Sequence, residues 1–86
     1  MSYKLEVARR FEKDFRKLPF DLRRRIDSQV RILESQPYAG KRLRGGLEGS
    51  YSLRVGDYRI IYSVIESEKR VVLSTIGHRR TVYEQP

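Results

Sequence analysis

Apolar residues change their spacing more than once along this chain, and each change marks a new element. Tyr3, Leu5 and Val7 alternate with Lys4 and Glu6, the period of a half-buried strand. From Ala8 the interval lengthens. Ala8, Phe11, Phe15 and Leu18 fall on one face of a helix whose other side carries Arg9, Arg10, Lys13, Arg16 and Lys17. Pro19 ends that helix, because proline disfavours helical geometry in the residue before it. Asp21 suits the N-cap of a second helix. Its stripe is Leu22, Ile26, Val30 and Leu33, with Arg23, Arg24, Arg25 and Arg31 mostly outward, and Gln36-Pro37 closes it. Two amphipathic helices joined by a few residues form a hairpin, and their apolar stripes need a sheet to lie on.

Residues 37–50 read as a loop with four glycines, which allow sharp turns. It is not a phosphate-binding P-loop, since the G-x-x-x-x-G-K-[ST] spacing is absent and no helix follows. Alternation then returns. Tyr51, Leu53 and Val55 oppose Ser52 and Arg54, Gly56-Asp57 is a two-residue hairpin turn, and Tyr58 to Ile65 is apolar except at Arg59 and Ser63. Glu66 to Arg70 is a charged turn, and Val71 to Ile76 is the last strand. The two final strands are apolar on both faces and belong in the middle of the sheet. The expected fold is α+β: β-α-α-β-β-β, with the helical hairpin on one face of a mainly antiparallel four-stranded sheet. A short segment around Tyr83 has room for a further helical turn. No linker or repeat divides residues 1–86, so one domain is expected.

Composition narrows the chemistry. There is no cysteine and one histidine, which leaves neither a disulfide framework nor a zinc site. No acidic cluster suggests a magnesium site, so no cofactor is expected. No stretch approaches the roughly 20 apolar residues of a membrane span, and the first residues lack a signal-peptide core; a cytoplasmic protein is expected. The formal charge of +8 favours polyanionic partners: nucleic acid, an acidic protein or an anionic membrane face. The basic outer faces of the helices suit either simple solvation or nucleic-acid contact.

Candidate chemistry gathers at the end of the chain. Period two places Ser52 and Arg54 on the face away from the helices, and Arg59, just past the turn, comes within reach of Arg54. Like charges side by side on a sheet repel unless an anion sits between them. The alternative is pairing of either arginine with Glu48, Asp57 or Glu66. Arg79 and Arg80 leave the last strand toward the same surface, and two guanidinium forks can hold a phosphate through charge-assisted bonds. His78 and Tyr83 are the groups able to move a proton. A neutral imidazole can act as a base. A tyrosine can act as acid or base, or stack on a nucleobase. Lys41, Arg42 and Arg44 can clasp a phosphate backbone or simply face solvent.

The element order, Leu43-Arg44-Gly45 in the loop, Gly56-Asp57-Tyr58-Arg59 at the hairpin, and Ile76-Gly77-His78-Arg79 followed by Val82-Tyr83 together resemble the RelE/ParE toxin superfamily. The likeness runs through nearly the whole chain, and the ordered set carries it, not one motif. The ending resembles the RelE side, whose members are mRNA endonucleases acting in the ribosomal A site, more than the ParE side, which poisons DNA gyrase. The resemblance implies that Arg59 and Arg79 hold the scissile phosphate, that Tyr83 orients or activates the ribose 2′-hydroxyl, and that Arg44 supports substrate binding. Ser52 and Arg54 stand where some members carry two lysines, one proposed as a proton acceptor. Serine lacks the charge and arginine practically never deprotonates, so His78 is the substitute candidate for the base. The implied partners are a cognate antitoxin, messenger RNA and the ribosome. DNA would be met only through a toxin–antitoxin complex. The rival readings are a gyrase-directed toxin and an inactive RNA- or antitoxin-binding module of the same fold.

Overall fold

In the computed structural model, which describes residues 2–44 and 49–78, the elements are β1 (Lys4–Val7), α1 (Arg9–Arg16), α2 (Phe20–Val30), β2 (Lys41–Arg42), β3 (Ser50–Val55), β4 (Tyr58–Ile65) and β5 (Arg70–His78). Arg31–Glu34 continue α2 as a tight 3-10 turn. The strands form one sheet in the order β1-β5-β4-β3-β2. The β1–β5 pair is parallel and the others are antiparallel. Among the described residues no helix is long and apolar enough to cross a membrane.

The sheet is therefore five-stranded and mixed, not four-stranded. The additional strand, β2, lies inside the stretch that patterning reads as a loop. Both of its residues are exposed, so it has no apolar alternation to betray it. It exists because β3 offers an otherwise open edge. The start of α2 also differs. The helix begins at Phe20, and the Pro19 carbonyl accepts from Arg23 N–H at 3.0 Å. Asp21 lies in the first turn and makes no side-chain cap. A negative charge there still favours the helix N-terminus through the backbone dipole. The first helix stops at Arg16, short of Leu18.

The core joins one face of each helix to one face of the sheet. Phe11, Ile26, Val30 and Leu33 pack on Val55, Ile60, Tyr62, Val71, Leu73 and Ile76. The β5 members of this set are out of phase, since 71 and 73 share parity and 76 does not. A bulge settles the conflict. Ile61 pairs with Thr75 and Tyr62 with Leu73, which leaves Ser74 as the extra residue. One inserted residue moves every later side chain to the opposite face. Ile76 thereby reaches the core, and His78 turns to the helix side while Gly77 faces away.

The far end of the sheet is closed by charge pairs. Arg70 holds Glu6 through two bonds, joining β1 to β5, and also reaches Glu68. Its guanidinium keeps the Glu6 carboxyl below its ordinary pKa. Beside it, Glu66 accepts from Lys69, Tyr38 and Tyr3. These bonds, the Lys69 one foremost, bring the Glu66 pKa from an ordinary 4.5 to about 2. The bond to Glu66 pushes the Tyr38 phenol up to about 12. A depressed carboxyl pKa contributes stability that is complete above the ordinary value and lost as pH falls through the folded one. The clasp should therefore persist at pH 4.5 and open as pH falls toward 2. Carboxyl-carbon NMR should show that low midpoint, and Tyr3→Phe with Tyr38→Phe should raise it. A wild-type midpoint at the ordinary value would mean that the clasp is open in solution.

Candidate nucleic-acid interface

The loop that carries Lys41, Arg42 and Arg44 is held at its root by one buried tyrosine. Tyr62 is fully buried in the middle of β4. A phenol enclosed by apolar neighbours needs a partner for its hydroxyl, and the loop supplies two. The Tyr62 hydroxyl donates to the Pro37 carbonyl at 2.8 Å and accepts from Gly40 N–H at 2.9 Å. Its ring stacks on Tyr51 at 5.6 Å, and Tyr51 meets Tyr38 edge-on at 5.5 Å. Gly40 is the residue that permits this approach. A β-carbon there would lie 2.7 Å from the Tyr62 hydroxyl oxygen and 2.8 Å from the Ser52 carbonyl oxygen. Gly40→Ala is expected to destabilise the domain by about 1–3 kcal/mol through overpacking. Tyr62→Phe should cost a similar ~1–3 kcal/mol, since it strips the buried Pro37 carbonyl of its partner. Urea denaturation measures both; unchanged midpoints would show that the loop root is loose.

The face of the sheet away from the helices gathers part of the candidate set. At the tip of the β3–β4 hairpin, Gly56 takes φ +60°. This is the first central position of the turn, where a II′ hairpin favours glycine. The tight turn forces Arg54 and Arg59 into direct register. Opposed side chains in such a pair start about 5 Å apart at their β-carbons. Across β4, the partner of Arg59 is Gly77, which puts no side chain beside the guanidinium. Across β3, Lys41 pairs with Ser52 and so faces the same side. Among the described residues Arg54 and Lys41 enter no ion pair, whereas Lys69 and Arg70 at the other end are neutralised. Glu66, one alternative partner for Arg54 and Arg59, is committed to that far-end clasp. The open face is thus electropositive at the hairpin end.

Other candidates fall elsewhere. Ser52 lies on the open face but is only 3% exposed, so it supports the surface from beneath. Arg42 pairs with Tyr51 and takes the opposite face from Lys41. Arg44 is exposed beside the loop. His78 is the partner of Tyr58, with the rings edge-on at 5.9 Å, on the helix side of β5 and away from Arg59. The structure therefore does not bring this imidazole to the arginine face, and the bulge at Ser74 is the reason. Arg79, Arg80 and Tyr83, with the helical turn expected around Tyr83, lie outside the described residues. Among the described residues no group of three or more His, Cys, Asp or Glu is placed to hold a metal ion.

Comparison with known proteins places this architecture. A profile of the family described as "ParE toxin of type II toxin-antitoxin system, parDE" matches residues 5–83. The chain belongs to the RelE/ParE toxin superfamily. Toxin RelG of Mycobacterium tuberculosis is 30% identical over 99% of this chain and 100% of its own. The mRNA interferase toxin RelE of Escherichia coli K12 is 33% identical over 92% of this chain and 85% of its own. Among solved structures, the toxin–antitoxin complex RelBE2 of M. tuberculosis matches with a TM-score of 0.85 at 28% identity, covering 92% of this chain and 100% of that one. The intact E. coli RelBE complex gives 0.80 at 27% identity, covering 90% and 96%.

For this RelE/ParE-superfamily chain, sequence reasoning missed the two residues that seat the basic loop, Tyr62 and Gly40. The signal was present for one of them. A tyrosine amid Ile60, Ile61, Val64 and Ile65 demands a buried partner for its hydroxyl. Which glycine meets it is a tertiary fact that spacing does not contain.

Proposed function

We propose that this toxin is a metal-independent endoribonuclease that cleaves messenger RNA in the ribosomal A site and so inhibits translation. The observation that carries the reading is the Arg54–Arg59 register pair on the open face. A two-residue turn sets the two arginines opposite each other on that face, and Gly77 adds no side chain beside Arg59. The chain passes from His78 directly into Arg79, Arg80 and, after Thr81 and Val82, Tyr83. Arg59 and Arg79 take the scissile phosphate. The ribose 2′-hydroxyl attacks the adjacent phosphorus in line, its proton leaves to a base, and the 5′-oxygen departs with a proton. The products are a 2′,3′-cyclic phosphate, or a 3′-phosphate after hydrolysis, and a 5′-hydroxyl. Phosphoryl transfer asks mainly for positioning and charge stabilisation, which an arginine wall supplies. Tyr83 orients or activates the 2′-hydroxyl. Arg54, Arg44, Lys41, Arg42 and Arg80 bind the RNA backbone. The resemblance to an mRNA interferase and to toxins solved with antitoxins supports this assignment and a cognate antitoxin as partner. An acidic, amphipathic antitoxin segment would complement the basic surface.

Primer extension on a message in a purified translation system tests the reading. Cleavage within codons at the A site, leaving 5′-hydroxyl ends, is expected. An intact message together with inhibited gyrase supercoiling would replace it with the gyrase-directed alternative, in keeping with the ParE name of the family profile.

A further inference from the structure

A second basic surface lies around the corner from the open face. Between α2 and the hairpin tip is a cleft of about 520 Å³ lined by Arg24, Arg25, Ser28, Gln29 and Arg54, with Gly56 at its wall. Every polar side chain in that lining has a hydrogen to donate, and none is a carboxylate. Arg24, Arg25 and Arg54 enter no ion pair among the described residues. Arg54 Nε donates to the Gly56 carbonyl at 3.2 Å, which folds its side chain round the tip and joins the cleft to the Arg59 face. Asp27, on the same helix, is occupied by Arg31 at 3.0 Å. One turn back along α2, Phe20 is 57% exposed, with the Arg23 and Arg24 guanidinium groups 5.8 and 5.9 Å from its ring centre.

We infer that this cleft holds an RNA backbone and that Phe20 beside it stacks a base, so that RNA runs from the Arg54–Arg59 face round the hairpin tip onto α2. Converging guanidinium groups without a counter-ion call for an anion. An exposed ring flanked by arginines is a stacking platform for single-stranded nucleic acid. An acidic protein segment fits less well, since Val55 alone gives the cleft an apolar wall. An amphipathic helix needs an apolar stripe, which the separate groove between β1 and the helices offers through Leu5, Val7, Phe11 and Phe15. The inference extends the proposed function by adding a place for RNA that is not being cut.

The test measures binding, not cleavage. Wild type, Arg24→Gln/Arg25→Gln, Phe20→Leu and a charge-matched control at the C-terminal end of α1, Lys13→Gln/Lys17→Gln, are titrated against vacant ribosomes and a 2′-O-methyl RNA strand over a range of salt. The arginine double variant should bind at least about 10-fold more weakly at ~0.1 M salt, with its log–log salt slope smaller by about 1.5 as two phosphate contacts vanish. Phe20→Leu should weaken binding about 5-fold or more at an unchanged slope. Antitoxin affinity should not change. Wild-type binding by the arginine variant, an equal loss in the α1 control, or a loss of antitoxin in place of RNA would each overturn the inference. Because neither probe can be cleaved, failure of the endonuclease reading shows separately, in the primer-extension assay. If wild type ignores ribosomes, the RNA strand still decides the cleft.

Discussion

Replacing Arg59 with alanine is expected to lower message cleavage by about 10²–10³-fold, the usual loss when one preorganised donor to a developing negative charge is removed. Arg59 is fixed by register, not by chance. Val55 and Tyr58 flank the two-residue turn, Arg54 and Arg59 follow as the next pair, and Gly77 stands on the other side. The backbone that carries Arg59 is therefore set before substrate arrives, which lowers the ordering needed on binding. Arg79→Ala should fall in the same range, since in the proposed reaction Arg79 is the second fork on the phosphate. Arg59→Lys should recover only part of the rate, because an ammonium keeps the charge but not the bidentate geometry. Arg54 is exposed at the rim, and Arg54→Ala should act more on apparent substrate affinity than on the rate at saturation. Single-turnover primer extension measures the rates. An Arg59→Ala protein that cuts at the wild-type rate would move the active surface off this face.

The second large effect is expected at Tyr83, and its contrast is His78. If Tyr83 moves the proton, Tyr83→Phe should slow cleavage by about 10²–10⁴-fold, the range of a positioned acid–base group, with ribosome binding retained. His78→Gln should cost less than about 10-fold and leave the pH–rate profile unchanged, because the imidazole packs on Tyr58 on the other side of β5 from Arg59. Stacking is the alternative role for Tyr83. In that case phenylalanine is nearly neutral and alanine is the damaging change. A His78→Gln protein that loses more activity than Tyr83→Phe would restore the histidine as base, and would require the strand end to turn over when RNA binds.

Much of this surface could be read from residue order, for local reasons. Gly56-Asp57 between two alternating runs dictates a two-residue turn, and that turn alone places Arg54 against Arg59. The helix stripes ending in Ile26, Val30 and Leu33 dictate which face of the sheet is covered, and so which face stays open for the arginines. What residue order left undecided depends on partners distant in the chain. β2 has no apolar signature and forms only because β3 presents an edge. The parallel seat of β1 beside β5 appears once the helical hairpin has folded back across the sheet. Gly40 becomes obligatory only when Tyr62 and the Ser52 carbonyl arrive beside it. The bulge at Ser74 is the sharpest case. Val71, Leu73 and Ile76 cannot all face the core in a regular strand, and the pairing with β4 decides where the extra residue goes. The sequence by itself determined the helix stripes, the turn and the arginine pair, since each follows from neighbours a few residues apart. Only the tertiary structure decided that His78 turns away from that pair, because strand parity is set by register with another strand.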